Sequence, residues 1–340
     1  VSGPLLLAQN LTKRFPNGVL AVDDVDVAVD EGQTVGIVGE SGCGKSTTAK
    51  LILRLLEPDS GSVFFDGFDF LKLGPLFLRK ARGKIQLVPQ NPQTSLNPRL
   101  TIGSSIAFNL RVHGWARRAI ASRTEAMLDR VGIDPAYANR YPHQLSGGQL
   151  QRVAIARALA TDPKLVVCDE AVSALDKSVQ AQVLNLLSDL QRETGVAYLF
   201  ISHDLGVVEH FSDRVVVMYL GRVVEHASAD ELWRRPVHPY TEALLSAIPG
   251  RGTGRIVLTG DPASPTNPPS GCGFRTRCPD ALPTCGAARP ELTVVETRHV
   301  AACPVRATSP RADRMLSGAG AALCPVPNPT SRGGTHREVE

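Results

Sequence analysis

The stretch Thr34-Val35-Gly36-Ile37-Val38-Gly39-Glu40-Ser41-Gly42-Cys43-Gly44-Lys45-Ser46-Thr47 decides the fold. A near-continuously apolar run leads into the pattern G-x-x-x-x-G-K-[ST], and Lys45 to Leu56 then carries Leu51, Ile52, Leu55 and Leu56 at helical spacing. Glu57-Pro58-Asp59-Ser60-Gly61 predicts the end of that helix. A strand that feeds a glycine loop and then a helix is the context in which this pattern binds phosphate. Glycines let the backbone wrap closely, so that its N–H groups and the helix N-terminus cradle phosphate oxygens; Lys45 reaches the β and γ phosphates, and Ser46 offers its hydroxyl to Mg²⁺. The alternative, a glycine-rich turn with an incidental lysine, fits that context poorly.

Two further apolar runs, Leu165 to Cys168 and Ala197 to Ile201, read as parallel strands buried on both faces. Ser178 to Leu190 places Val179, Val183, Leu186, Leu187 and Leu190 on one helical face. Strands and helices thus alternate as in an α/β sheet. Between Asn91 and Gly148 the strand signal vanishes, and Ile102 to Gly114 and Ala116 to Val131 look helical, which predicts an inserted helical subdomain at about residues 91–150. Past Trp233, and above all from Pro249 to Pro310, proline, glycine, cysteine and arginine dominate. The expected organisation is a nucleotide-binding domain over 5–232, a small cysteine-rich domain over 233–306 and a disordered tail over 307–340.

The 340 residues are 43% hydrophobic and carry 37 basic against 33 acidic side chains, a formal charge of +4. No Lys/Arg block forms a nucleic-acid arm, so no nucleic-acid partner is expected. No apolar run approaches the roughly 20 residues needed to cross a bilayer, and no secretory signal is legible at the N-terminus, so a cytoplasmic location is expected.

Leu165-Val166-Val167-Cys168-Asp169-Glu170 ends an apolar strand in two carboxylates. Asp169 is placed to hold Mg²⁺, and Glu170 to orient or deprotonate an attacking water. An exposed acidic turn would explain the pair alone; beside the phosphate loop that explanation weakens.

Leu145-Ser146-Gly147-Gly148-Gln149 stands about twenty residues before Asp169. This pentapeptide resembles the signature motif of ABC-transporter ATPases, so the fold class expected is a P-loop NTPase (RecA-like) ABC ATPase core with an inserted helical subdomain and a small Cys-rich extension. A serine hydroxyl and the N–H groups of Gly147 and Gly148 at a helix start make an anion site. By resemblance, that site closes on the γ-phosphate of ATP held by a second subunit. The resemblance also implies a Q-loop glutamine at Gln90 that senses Mg²⁺ and γ-phosphate, a D-loop at Ser173 to Asp176, a switch histidine at His203 and an adenine-stacking aromatic at Phe15. Alone, His203 would be an ordinary surface histidine and Phe15 ordinary core packing.

Asn91 to Arg99, Val172 to Asp176 with Ser178 to Gln182, and His238-Pro239-Tyr240-Thr241 resemble the oligopeptide/dipeptide importer subfamily over most of residues 5 to 305. That implies a motor at the cytoplasmic face of the membrane, paired with a sister or identical ATPase subunit beneath two permeases that receive solute from an external binding protein. Nickel and some sugar importers share these features. Two positions depart from the subfamily: Ala171 stands where proline is usual, and Lys177 where a hydrophobic residue is common. Cys272-x₅-Cys278-x₆-Cys285-x₁₇-Cys303 resembles the subfamily's C-terminal region, where such cysteines hold an iron–sulfur cluster. Four thiolates suit [4Fe–4S] or Zn²⁺, and free thiols are the alternative.

Two other classes compete with the transport motor. A soluble ABC protein acting on DNA or ribosomes should carry a coiled-coil insertion or a basic arm. A binding module that holds ATP without hydrolysis should lack Glu170 or His203, and both are present.

Overall fold

The computed structural model describes residues 3–248, 255–261 and 263–307. The expected tail therefore lies, apart from its first residue, outside the described residues, as does Cys324. The chain opens with β1 (Leu6–Arg14) and β2 (Leu20–Val29), an antiparallel pair whose alternate residues Leu6, Ala8, Val25, Val27 and Val29 turn inward. β3 (Thr34–Val38) is buried at all five positions. The helix after it, α1 (Lys45–Ile52), is shorter than its apolar spacing predicts: Arg54 takes a positive φ of 50° and Leu55 is 57% exposed. β4 (Ser60–Phe65) and β5 (Phe68–Asp69) then complete a four-stranded antiparallel sheet of order β2-β1-β4-β5 that the sequence reading did not contain.

α2 (Pro75–Lys84), started by a proline, leads into β6 (Ile85–Val88). Residues 92 to 159 hold α3 (Pro92–Ser95), α4 (Ile102–Val112), α5 (Arg117–Arg130) and α6 (Gly147–Leu159), with no strand. Ile106 and Leu110 of α4, Ile120 and Leu128 of α5 and Val153 of α6 share one buried cluster. Beyond come β7 (Leu165–Asp169), α7 (Lys177–Thr194), β8 (Ala197–Ile201), α8 (Leu205–Phe211), β9 (Arg214–Tyr219) and β10 (Arg222–Ser228). α7 runs longer than Ser178 to Leu190 because Asp176 caps its start, accepting from the N–H groups of Ser178 and Val179, and Gly195 ends it in the left-handed conformation. α9 (Ala229–Arg234), α10 (Pro239–Ser246), β11 (Thr293–Glu296), β12 (His299–Ala301) and α11 (Pro304–Ala307) finish the described chain.

The large sheet has the order β11-β12-β10-β9-β3-β8-β7-β6. Its five strands from β9 to β6 are parallel, so their carboxyl ends share one edge, where α/β sheets bind ligands. The other side is antiparallel and ends in β12 and the edge strand β11; β12 pairs Val300 and Ala301 with His226 and Glu225. There Glu225 and His299 meet with neither side chain exposed, His299 Nε2 lying 2.7 Å from Glu225 Oε1. The same carboxylate accepts hydrogen bonds from the N–H groups of Val237 (2.7 Å) and His238 (2.9 Å). Burial holds the His238 imidazole pKa down at about 4. Its neutral Nδ1 accepts from the Tyr240 N–H and caps α10.

Candidate active site

The phosphate loop joins β3 to α1. Gly39 and Gly44 are conformationally required: both have positive φ, and a side chain at either would strike a backbone carbonyl, that of Met218 or of Ala21, at 2.2 Å. Lys45 is buried, and its Nζ donates to the carbonyl oxygens of Gly39 (2.8 Å) and Glu40 (2.9 Å). Ser41 and Gly42 are exposed, and Thr47 is half-buried on the first turn of α1. Cys43 is buried beneath the loop, and burial pushes its thiol pKa up.

Around this loop the strand ends deliver the other groups. The Ser46 hydroxyl donates to Asp169 Oδ1 at 2.8 Å, so α1 and β7 meet through one hydroxyl and one carboxylate. Burial raises the Asp169 pKa, with the neighbouring Glu170 charge adding to it, although Ser46, Lys50 and Lys45 pull the other way. A hydroxyl and a half-buried carboxylate are the hard oxygen donors that Mg²⁺ takes, so this pair fits the ion expected from the sequence.

Glu170, just past β7, adopts φ 48°, a left-handed conformation that costs a non-glycine residue about 1–3 kcal/mol. Its N–H donates to the Ile201 carbonyl (2.9 Å), and its own carbonyl accepts from Ser173 N–H (3.1 Å) and Oγ (2.9 Å). These bonds hold the turn without the subfamily's usual proline at Ala171, which is itself buried. Glu170 Oε2 accepts from Gln90 Nε2 at 2.8 Å and lies 3.3 Å from His203 Nδ1. Gln90, Glu170 and His203 thus converge from the ends of β6, β7 and β8. The other departure, Lys177, pairs with Asp204 beside His203 at 2.6 Å.

Ser146 caps α6: its hydroxyl accepts from the Gln149 N–H (3.3 Å), and the Gln149 side chain accepts from the Ser146 N–H (3.0 Å). Ser146 and Gly147 are exposed. A side chain at Gly148 would meet Val179 of α7 at 2.7 Å, so glycine lets the two helices approach. Among the described residues no hydrogen bond joins this motif to the phosphate loop of the same chain. Phe15 is half-buried in the turn between β1 and β2, where its N–H and C=O bond to Val19 and Gly18.

The cluster expected at Cys272, Cys278, Cys285 and Cys303 is not supported. All four line one cavity of about 420 Å³, yet among the described residues no three His, Cys, Asp or Glu side chains come together to hold a metal ion. The thiols stand around a chamber rather than converging on a point. Burial pushes the pKa of Cys278 up to about 11 and raises those of Cys272 and Cys303.

Two contacts on the phosphate loop escaped the sequence reading, since they come from more than 190 residues away. Tyr240 Oη accepts the Glu40 N–H at 2.8 Å, and Arg277 Nη1 donates to both Glu40 carboxylate oxygens at 3.0 Å. Tyr240 lay within the quoted His238-Pro239-Tyr240-Thr241, but nothing local ties either residue to residue 40.

Residues 22–173 match the ABC transporter family, and residues 224–285 match the C-terminal region of oligopeptide/dipeptide transporters. A probable peptide ABC transporter ATP-binding protein of Sinorhizobium fredii is 47% identical, covering 98% of this chain and 99% of the relative. The oligopeptide transport ATP-binding protein OppF of Escherichia coli is 50% identical over 85% of this chain and 88% of its own length. Among solved structures, a dimeric ATP-binding cassette in a post-hydrolysis state with ADP and Pi matches with a TM-score of 0.60 and 31% identity, over 66% of this chain and 98% of that one. The cassette cbiO1 of Clostridium perfringens matches with a TM-score of 0.63 and 28% identity, over 69% and 92%. A half-buried oxygen-donor pair beside a lysine-bearing phosphate loop, a glutamate of strained backbone between glutamine and histidine, and this likeness along the whole chain have one reading: the chain belongs to the ATP-hydrolysing ATP-binding proteins of ABC transporters, in their oligopeptide/dipeptide branch.

Proposed function

We propose that the chain is the ATP-driven motor of a di- or oligopeptide importer, working as a dimer with a sister or identical subunit beneath two permeases at the cytoplasmic face. The observation that carries this is the convergence of Ser46 with Asp169, and of Gln90 and His203 on Glu170, at the carboxyl edge of the parallel strands. Lys45 Nζ donates to two loop carbonyls, and with ATP bound its ammonium would reach the β and γ phosphate oxygens. Glu170 accepts the proton of the attacking water, and its left-handed backbone fixes the direction of that carboxylate. Gln90 and His203, both on the same carboxylate oxygen, orient it and reach the γ-phosphate. When bound at Ser46 and Asp169, Mg²⁺ supplies positive charge that neutralises the phosphates and the leaving group.

Ser146 and Gly147 are exposed at the start of α6, with Gly148 and Gln149 half-buried behind them, and this end of the helix can close on the nucleotide of a second subunit. ATP-dependent closure would move the helices 92–159 relative to the sheet. A groove of about 920 Å³ between these elements, lined by Leu55, Leu78, Phe108 and Val112 with Arg82 at its side, suits a short amphipathic helix of a permease. Leu55 and Phe108 are more than half exposed, as an unpartnered docking surface requires. Among the described residues no helix is long and apolar enough to cross a membrane, so the path for the solute would come from partners. The peptide assignment is supported by the names of the relatives and the matched C-terminal region.

The test is reconstitution with the permeases in vesicles, with peptide and binding protein supplied. Peptide-stimulated ATP hydrolysis and uptake are expected in the wild type. Phe108→Asp should uncouple uptake while leaving ATP binding intact. Stimulation by nickel or a sugar but not by peptide would overturn the peptide assignment.

A further inference from the structure

We propose that Arg277 is a positioning residue for the phosphate loop, acting from the cysteine-rich segment through the carboxylate of Glu40. The proposal rests on the ATP site described above and adds to it a residue that lies outside the matched ATPase region. Glu40 is the second residue of the loop and is held twice. Its N–H donates to Tyr240 Oη at 2.8 Å, and its two carboxylate oxygens each lie 3.0 Å from Arg277 Nη1. The Arg277 side chain is only 9% exposed and that of Glu40 30%, so the pair is sheltered from much of the screening that weakens surface ion pairs.

The groups that hold Glu40 are themselves fixed by packing. The rings of Tyr219, Tyr240 and Phe274 form a triad with centroids 4.7, 5.3 and 5.4 Å apart, joining the end of β9, α10 and the cysteine-rich segment. The Arg277 N–H donates to the Phe274 carbonyl at 2.9 Å, which sets the guanidinium relative to that triad. The next residue, Cys278, lines the four-cysteine chamber, so a change in the chamber wall bears on Arg277.

The chemistry explains why the loop benefits. Glu40 puts a negative charge into a loop that must receive a polyanion, and its carbonyl is one of the two that hold Lys45. Arg277 neutralises that charge and draws the carboxylate away toward the C-terminal segment. Without Arg277 the unpaired carboxylate opposes the incoming triphosphate.

The test measures the affinity of the full-length chain for Mg-ATP, together with KM and kcat. Arg277→Ala is expected to raise Kd and KM for ATP about three- to tenfold with kcat at saturation little changed, a shift in the range of coupled neighbours. Glu40→Gln added to Arg277→Ala should restore most of the lost affinity, because the opposing charge is gone; Glu40→Gln alone leaves the Arg277 guanidinium without its carboxylate and is measured to complete the double-mutant cycle. Arg277→Gln, which keeps the apolar stem and an amide donor on a shorter, uncharged side chain, weakens binding in the same direction and serves if the alanine chain fails to fold. Wild-type ATP affinity in both Arg277 variants, or losses that simply add in the double variant, would overturn the proposal. Lys45→Ala is the control for the site itself: if it binds ATP like the wild type, the reading of the loop has failed rather than the role of Arg277.

Discussion

At the carboxyl ends of the parallel strands, polar side chains meet half in the open: Glu170 is left-handed, His203 is 55% exposed in its side chain, and Lys45 rests on two carbonyls. At the antiparallel edge of the same sheet, Glu225 and His299 meet with no exposure, and the carboxylate has three donors. One edge keeps its polar groups available for a ligand, and the other uses them to tie the chain shut. Buried charge next to a strand is therefore no sign of chemistry by itself; what differs is whether the carboxylate's donors are already in place.

That contrast predicts different failures. Glu170→Gln should lower ATP turnover by about 10²- to 10⁴-fold while ATP still binds, checked by steady-state hydrolysis alongside nucleotide affinity. A rate within a few-fold of wild type would remove Glu170 from the base role. At the other edge, Glu225→Ala leaves His299 and two N–H groups buried without their acceptor and should lose about 3–5 kcal/mol in urea unfolding. Glu225→Gln, which keeps a carbonyl acceptor for these N–H groups, should lose less than Glu225→Ala. If the alanine variant unfolds like the wild type, the tie at this edge is not what holds the segment.

The pH response separates the edges again. Because burial raises Asp169 above 3.8, the folded chain binds that proton more tightly than the unfolded chain. Ionising it therefore lowers stability as pH rises from 3.8 through the raised value, and the Mg²⁺ proposed for Ser46 and Asp169 would bind only the ionised form. The gain in melting temperature on adding Mg-ATP should then grow as pH rises from 3.8 through the raised value, and Asp169→Asn should flatten it. A gain independent of pH would place the ion elsewhere. The smallest effect belongs to Lys177→Ala, which removes an exposed pair with Asp204 and should cost at most about 1 kcal/mol, read as a small shift in melting temperature.

The parallel half and the residues of the proposed nucleotide site were legible because their signals are local. Thr34 to Ser46 carries strand, loop and helix start within one short stretch, and Leu165 to Glu170 carries strand and carboxylates together. In the antiparallel sheet β1 pairs with β2 and β4 with β5 across short turns, but the pairing that joins these into one sheet was not legible because it links residues far apart, such as Leu6 with Phe65. β12 was missed for the same reason: its three residues show no periodicity and become a strand only against β10. α1 was read too long since Leu55 continues the apolar spacing, although its side chain belongs to an outer groove. The four cysteines show the limit of spacing arguments, because lining one chamber is not the same as meeting at a point.

The backbone at Glu170 has a consequence for anyone engineering this chain. A left-handed φ suits glycine or asparagine better than glutamate, so either substitution there would relieve strain in the folded state. Selection for heat resistance alone, with no demand for turnover, would be drawn to that position and would return a hardier chain with a silent site. Directed evolution of this motor therefore needs ATP hydrolysis scored in every round, with position 170 sequenced first among the survivors.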